Sequence, residues 1–185
     1  MAKVTYISYY DAITESKARG FIQACAEAIV RTDPGQLYFL FSSNGGSVDA
    51  GITVYNYLRA LPIPTVMHNT GTIASTANVV FLAGTERYAA PHSSFLLHGL
   101  KWGFPQPVDL TWNQLQETVS AFRGAESLFT SILKERTSLT DAELTALLHQ
   151  GETKDLAFAK AKGIIQGIRP VKIDTGAPFF ALNLQ

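Results

Sequence analysis

Along the first hundred residues, the apolar positions switch between two periods. Residues 4–9 (VTYISY) form a short, β-rich run. Over residues 14–30 the apolar positions recur at i, i+3, i+4 and i+7, which puts Ala18, Phe21, Ile22, Cys25 and Ile29 on one helical face. Asp33-Pro34-Gly35 supplies turn chemistry to end that helix. Residues 37–41 (LYFLF) are unbroken apolar, as in a strand covered on both faces. A helix is predicted over 48–60, stopped by Leu61-Pro62-Ile63-Pro64. A third strand is predicted over 65–68, a third helix over 75–82, and two short strands over 86–90 and 94–98. Strands alternating with crossover helices imply an α/β fold with a largely parallel sheet.

The second half reads differently. Residues 103–107 form a loop, and one long helical pattern then runs from about 109 to 136. Leu115, Val119, Phe122, Leu128, Phe129 and Ile132 are its apolar positions. Such a helix either projects and packs on a neighbour or folds back on its own core, and the pattern fits both. Thr140 with Glu143 is a capping-box pair that opens a further short helix. Asp155 is the expected N-cap of a last helix ending at Gly163. The tail is turn-rich, then apolar. With no repeat or linker, residues 1–185 read as one domain: an α/β head over 1–100, a handle helix region over 101–140, and closing helices and tail over 141–185.

Composition narrows the classes. The 185 residues are 46% hydrophobic and 16% charged, ample for a core. Fifteen basic and fifteen acidic residues cancel. That balance argues against a broad nucleic-acid or anionic-membrane footprint, and self-association is tolerable. The single cysteine, Cys25, excludes an intrachain disulfide and falls on the apolar helix face. No secretory signal opens the chain, and no apolar run reaches the roughly 18 residues that span a bilayer. A reducing, cytoplasmic setting is the expectation.

Candidate chemistry gathers where the predicted strands end, the edge at which parallel sheets bind ligands. In SSNGGSV, residues 42–48, the glycine pair permits positive φ and brings backbone amides close to a ligand; it also fits a plain strand-to-helix turn. Phosphate binding is disfavoured, because the Walker lysine and the GxGxxG spacing are both missing. In GTIASTANVVFLAG, residues 71–84, Ser75 is either a helix N-cap or a nucleophile. A nucleophilic serine needs a base. His98 ends SFLLH and is the first candidate; His68, ending another strand, is the second. His92 and His149 read as surface groups. Spacing does not choose among the acidic residues after His98; Glu152, in the turn GET, is the best placed to orient an imidazole.

Taken together, SSNGGSVDAG, GTIASTANVVFLAG and APHSSFLLHG resemble the glycine-pair, nucleophile and histidine segments of the Clp protease proteolytic subunits, the ClpP/crotonase-like serine peptidases. Their order is the family's. Gly46 precedes Ser75 by 29 residues and Ser75 precedes His98 by 23, close to the family's spacing. DLAFAKAKGI resembles its closing helix, so the likeness runs from about residue 4 to 168. The resemblance implies a ClpP/crotonase-like fold of repeated ββα/βαβ units with a projecting handle helix. It implies Ser75 as nucleophile, His98 as general base, and Gly46 and Thr76 as oxyanion-hole amides. It further implies an endopeptidase acting on peptides or unfolded proteins inside a homo-oligomeric ring, without cofactor or metal.

The chain also departs from the family's pattern. Counting back from Gly163 puts Gly151 where the family has its aspartate; Glu152-Thr153 fits if one residue is deleted. KWGFPQP replaces the glycine- and glutamine-rich hairpin that lines the substrate groove. The N-terminal axial loop, which helps an ATPase ring dock, is missing or very short, which argues against an AAA+ unfoldase as partner. The alternative functions are a catalytically impaired scaffold subunit and a crotonase-like acyl-CoA enzyme.

Overall fold

The computed structural model describes residues 3–101, 103 and 108–182. Trp102 and 104–107, most of the atypical KWGFPQP segment, lie outside the described residues. The first half alternates as its apolar pattern predicts. Strand β1 (Val4–Tyr10) leads to helix α1 (Glu15–Thr32), strand β2 (Gln36–Ser43), helix α2 (Val48–Ala60), strand β3 (Thr65–Ala74) and helix α3 (Ala77–Leu82). Thr14 caps α1 by accepting from the Lys17 amide, and Ser47 caps α2 by accepting from the Ala50 amide. Strands β4 (Glu86–Ala89) and β5 (Ser94–Leu96) follow. The long helix α4 (Trp112–Arg136), helix α5 (Asp141–Gln150), strand β6 (Thr153–Lys154), helix α6 (Leu156–Ala161), and strands β7 (Gly167–Ile168) and β8 (Phe179–Ala181) complete the chain.

The sheet runs β6-β5-β3-β2-β1-β8, with β4 lying between β3 and β7. Its pairs are parallel except β5 with β6. β3 has two partners on one side. Its first half pairs with β4, and Thr72–Ala74 pairs with Ser94–Leu96 of β5. This is why β3 continues past His68, where the sequence pattern ends it. Asn69 Nδ2 donates to Ser94 O at 2.9 Å, and Asn69 Oδ1 accepts from the Gly71 amide, also at 2.9 Å. That side chain steers β3 from one neighbour to the next.

Alternate β2 residues feed the core: Leu37, Phe39 and Phe41 are buried, with Phe39 stacked on Phe21 of α1 and Phe41 on Tyr9 of β1. Cys25 lies in the same core, and burial pushes its thiol pKa up. Each fully buried aromatic side chain contributes about 1.5–3 kcal/mol of transfer free energy. The opposite face carries the second histidine candidate. His68 is buried in mid-strand, Nδ1 on Tyr38 Oη at 2.7 Å and Nε2 on Arg169 O at 3.1 Å. Burial lowers its pKa, and it is a core histidine rather than a base at a strand end.

The second half docks through arginines. Arg87 of β4 is buried, and its guanidinium donates to the carbonyls of Ile164 (2.8 Å), Gly163 (2.9 Å), Gly84 (3.1 Å) and Arg136 (3.3 Å). Burial, with Arg136 nearby, lowers it to about 10, so it stays a cation. α4 is buried only near its C-terminal end, at Phe129, Ile132 and Leu133. Its first half leaves Trp112, Leu115 and Val119 exposed, so the helix projects. α5 begins at Thr140 with a capping box closed by Glu143, and α6 begins at Asp155, both as the sequence indicates. Among the described residues, no helix is long and apolar enough to cross a membrane.

Candidate active site

Three parallel strands, β2, β3 and β5, end side by side. The segments that follow them are Asn44-Gly45-Gly46, Ser75-Thr76 and Leu97-His98-Gly99, so the three segments singled out in the sequence meet at one edge of the sheet.

The glycines are required by space as well as by angle. Gly45 has φ 89° and Gly46 φ 151°. A Cβ on Gly45 would sit 2.7 Å from Ala74 O and 3.0 Å from the Thr76 nitrogen; one on Gly46 would sit 2.1 Å from Ile13 O. Ile13 makes a bridge here, donating to Gly45 O and accepting from the Ser47 amide, each at 2.8 Å. That pattern skips the Gly46 amide, which donates to no group among the described residues. Thr76 Oγ1 donates to Gly46 O at 3.1 Å. The two residues carrying the candidate oxyanion-hole amides are therefore joined directly.

Ser75 is not a helix cap. The N-cap of α3 is Thr76, with no side-chain capping bond. Ser75 itself has φ 55°, the left-handed region that a non-glycine residue rarely adopts. Such a turn between strand and helix lifts a side chain clear of both, as in nucleophile elbows generally. The turn is fastened on two sides. The Ser75 amide donates to Leu96 O at 3.0 Å, and Asn78 Nδ2 donates to both Ser75 O and Leu96 O at 2.9 Å. Asn78 thus holds the turn at Ser75, a part that the sequence does not announce. Its one trace there is that Asn78 is the one polar side chain in the apolar run ANVVFL.

His98 follows β5 one strand away from Ser75. Its Nδ1 lies 2.7 Å from Gly99 O. A carbonyl only accepts, so Nδ1 carries the proton, and in the Nδ1–H tautomer Nε2 presents a lone pair. Gly99 is held in turn, its amide donating to Leu148 O of α5 at 2.8 Å. Beside His98 lies a cleft of about 490 Å³, lined among others by Leu96, Leu100, Leu148 and Gly151. Among the described residues no hydrogen bond joins Ser75 to His98 or His98 to Glu152. Catalytic hydrogen bonds are often long in a free enzyme and tighten on substrate. The Glu152 carboxylate is engaged elsewhere, 2.7 Å from Lys154 Nζ. The neighbour of His98 across the strands is Gly151: a Cβ built there would lie 3.5 Å from His98 Cβ. His92 and His149 are exposed, as expected.

Comparison with known proteins gives one consistent picture. The family model described as Clp protease matches residues 1–171. The ATP-dependent Clp protease proteolytic subunit 1 of Chlamydia abortus is 38% identical over 77 residues, 40% of either chain. The protein of the same description from Chlamydia muridarum is 34% identical over 101 residues, 50% of this chain and 49% of its own. The chain thus matches half or less of the length of these curated relatives. Among solved structures, a point mutant of ClpP1 from Listeria monocytogenes superposes with a TM-score of 0.76, covering 90% of this chain and 92% of its own at 16% identity. At that identity the likeness establishes the fold.

Proposed function

Since the chain belongs to the Clp protease family, we propose that it is a serine peptidase in which Ser75 is the nucleophile and His98 the general base. The Gly46 and Thr76 amides receive the oxyanion. The observation that carries this reading is the left-handed turn at Ser75, set between the Gly46 amide, which donates to no group among the described residues, and a histidine following the next strand. Strain of this kind costs about 1–3 kcal/mol and persists where surrounding structure enforces it, commonly at active sites.

In this mechanism His98 Nε2 takes the proton of Ser75 Oγ as the oxygen attacks a peptide carbonyl. The carbonyl oxygen becomes an oxyanion between the Gly46 and Thr76 N–H groups. His98 then gives its proton to the leaving amine, and the acyl group stays on Ser75. A water, deprotonated by His98, attacks the acyl carbon; the bond to Ser75 Oγ breaks, His98 returns the proton to that oxygen, and the new carboxylic acid leaves. Removing one oxyanion donor typically costs about 10²–10³ in rate. Substrates are peptides or unfolded chains. The protein acts as a homo-oligomer, for which the exposed apolar face of α4 supplies the contact surface.

The test is covalent labelling. A fluorophosphonate should label the folded protein at Ser75 and spare Ser75→Ala, and fluorogenic peptides should be cleaved by the wild type alone. A folded protein that neither labels nor cleaves is instead a scaffold subunit.

A further inference from the structure

We propose that the catalytic imidazole is oriented by the main-chain carbonyl of Gly99 and by no carboxylate, so that the enzyme works as a serine–histidine dyad. The inference rests on the peptidase reading above.

Strand parity decides which residue meets His98. β5 and β6 are antiparallel, with Phe95 opposite Lys154 and Leu96 opposite Thr153. Continued beyond the strand ends, the same register sets Leu97 against Glu152 and His98 against Gly151, the left-handed cap of α5, and the built Cβ at Gly151 lies 3.5 Å from His98 Cβ. Residues directly opposite one another share a face of the sheet, and successive residues alternate. Glu152 therefore shares its face with Lys154, two residues on, and its carboxylate is on that ammonium at 2.7 Å. The position that shares a face with His98 is Gly151, in van der Waals range of His98 Cβ and without a side chain. A one-residue slip along a strand moves a side chain to the other face.

The carbonyl fulfils part of the missing acid's role. Gly99 O, 2.7 Å from Nδ1, fixes the ring orientation and the tautomer, because it has no proton to give. It is itself placed by the Gly99 amide on Leu148 O, and a Cβ at Gly99 would come within 3.0 Å of that same oxygen. A neutral carbonyl holds the ring but stabilises the imidazolium less than a carboxylate does. The dyad therefore has room for improvement at one identified position.

Four variants and one kind of spectrum test this. Glu152→Gln should label with fluorophosphonate within about threefold of the wild-type rate, the scale of an exposed ion pair. Gly151→Asp, which puts a carboxylate beside His98, should label at least about tenfold faster, a part of what an acid contributes in a complete triad. Gly151→Asn fills the same space without charge and should show no such gain; Asp and Asn both tolerate the left-handed backbone of Gly151. Imidazole ¹H–¹⁵N correlation spectra should give His98 as the Nδ1–H tautomer in wild type and Glu152→Gln alike, the signal being assigned by its loss in His98→Gln. The proposal is overturned if Glu152→Gln labels about 10²-fold more slowly, or changes the His98 tautomer. A wild-type protein that never labels removes the peptidase reading instead, and the spectrum still decides what Gly99 does.

Discussion

At the scale of single residues, the site depends on backbone that only particular side chains permit. Gly46 shows this most sharply. Its φ of 151° and the 2.1 Å approach of a built Cβ to Ile13 O leave no room for alanine. Gly46→Ala must push the turn off Ile13, which also moves the amide that we propose receives the oxyanion and the carbonyl that Thr76 Oγ1 holds. The expected result is a loss of peptide-cleavage rate of about 10²-fold or more. Thermal unfolding should show a destabilisation of about 1–3 kcal/mol, as for a strained backbone. A variant that cleaves and melts like the parent would remove Gly46 from the oxyanion hole.

Elements set which residues can meet, and here the sequence was legible to different depths. Helices α1 and α2 and strand β2 follow from periodicity, because each is long enough for its apolar positions to repeat. Strand β6, two residues long, carries no period at all. Yet it decides whether residue 151 or 152 faces His98, so the identity of the third group was beyond reach of spacing. The left-handed φ of Ser75 was equally hidden, since Ser tolerates many conformations and its neighbours reveal the turn only through β5. Thr140 and Glu143, by contrast, named their own role as a capping box. Glu143 also accepts from Lys162 beyond α6, and that hydrogen bond, with those from Thr140, lowers its pKa to about 2. Its folded pKa lies below the unfolded value of about 4.3. Its contribution to stability is therefore complete above that value and is lost as pH falls from about 5 towards 2. Urea midpoints measured across that window should fall less steeply for Glu143→Gln than for the wild type. Identical slopes would mean the Lys162–Glu143 contact is not formed in solution.

For the whole molecule, the question is what covers α4. Trp112, Leu115 and Val119 are spaced to share one face of the helix, and Trp112 is 69% exposed. Burying a side chain of this size contributes about 1.5–3 kcal/mol, and every copy brings the same set. Self-association through this face follows from the proposed assembly. Trp112→Glu with Val119→Glu should convert the assembled protein to smaller species in sedimentation velocity, with unchanged circular dichroism. If the double variant sediments like the parent, α4 is not the contact.

The Arg87 guanidinium has a further consequence. Its acceptors include the last residue of α4 and the two residues that follow the C-cap of α6, Gly163 and Ile164. If the closing segment lifted away alone, a buried cation would lose two of its carbonyls with nothing in their place, a costly state in a low-dielectric interior. Peeling that segment from the sheet is therefore penalised well beyond its own small contact area. The strand bearing Arg87 and the turn after α6 should open to solvent together, exchanging their amide hydrogens in one cooperative event.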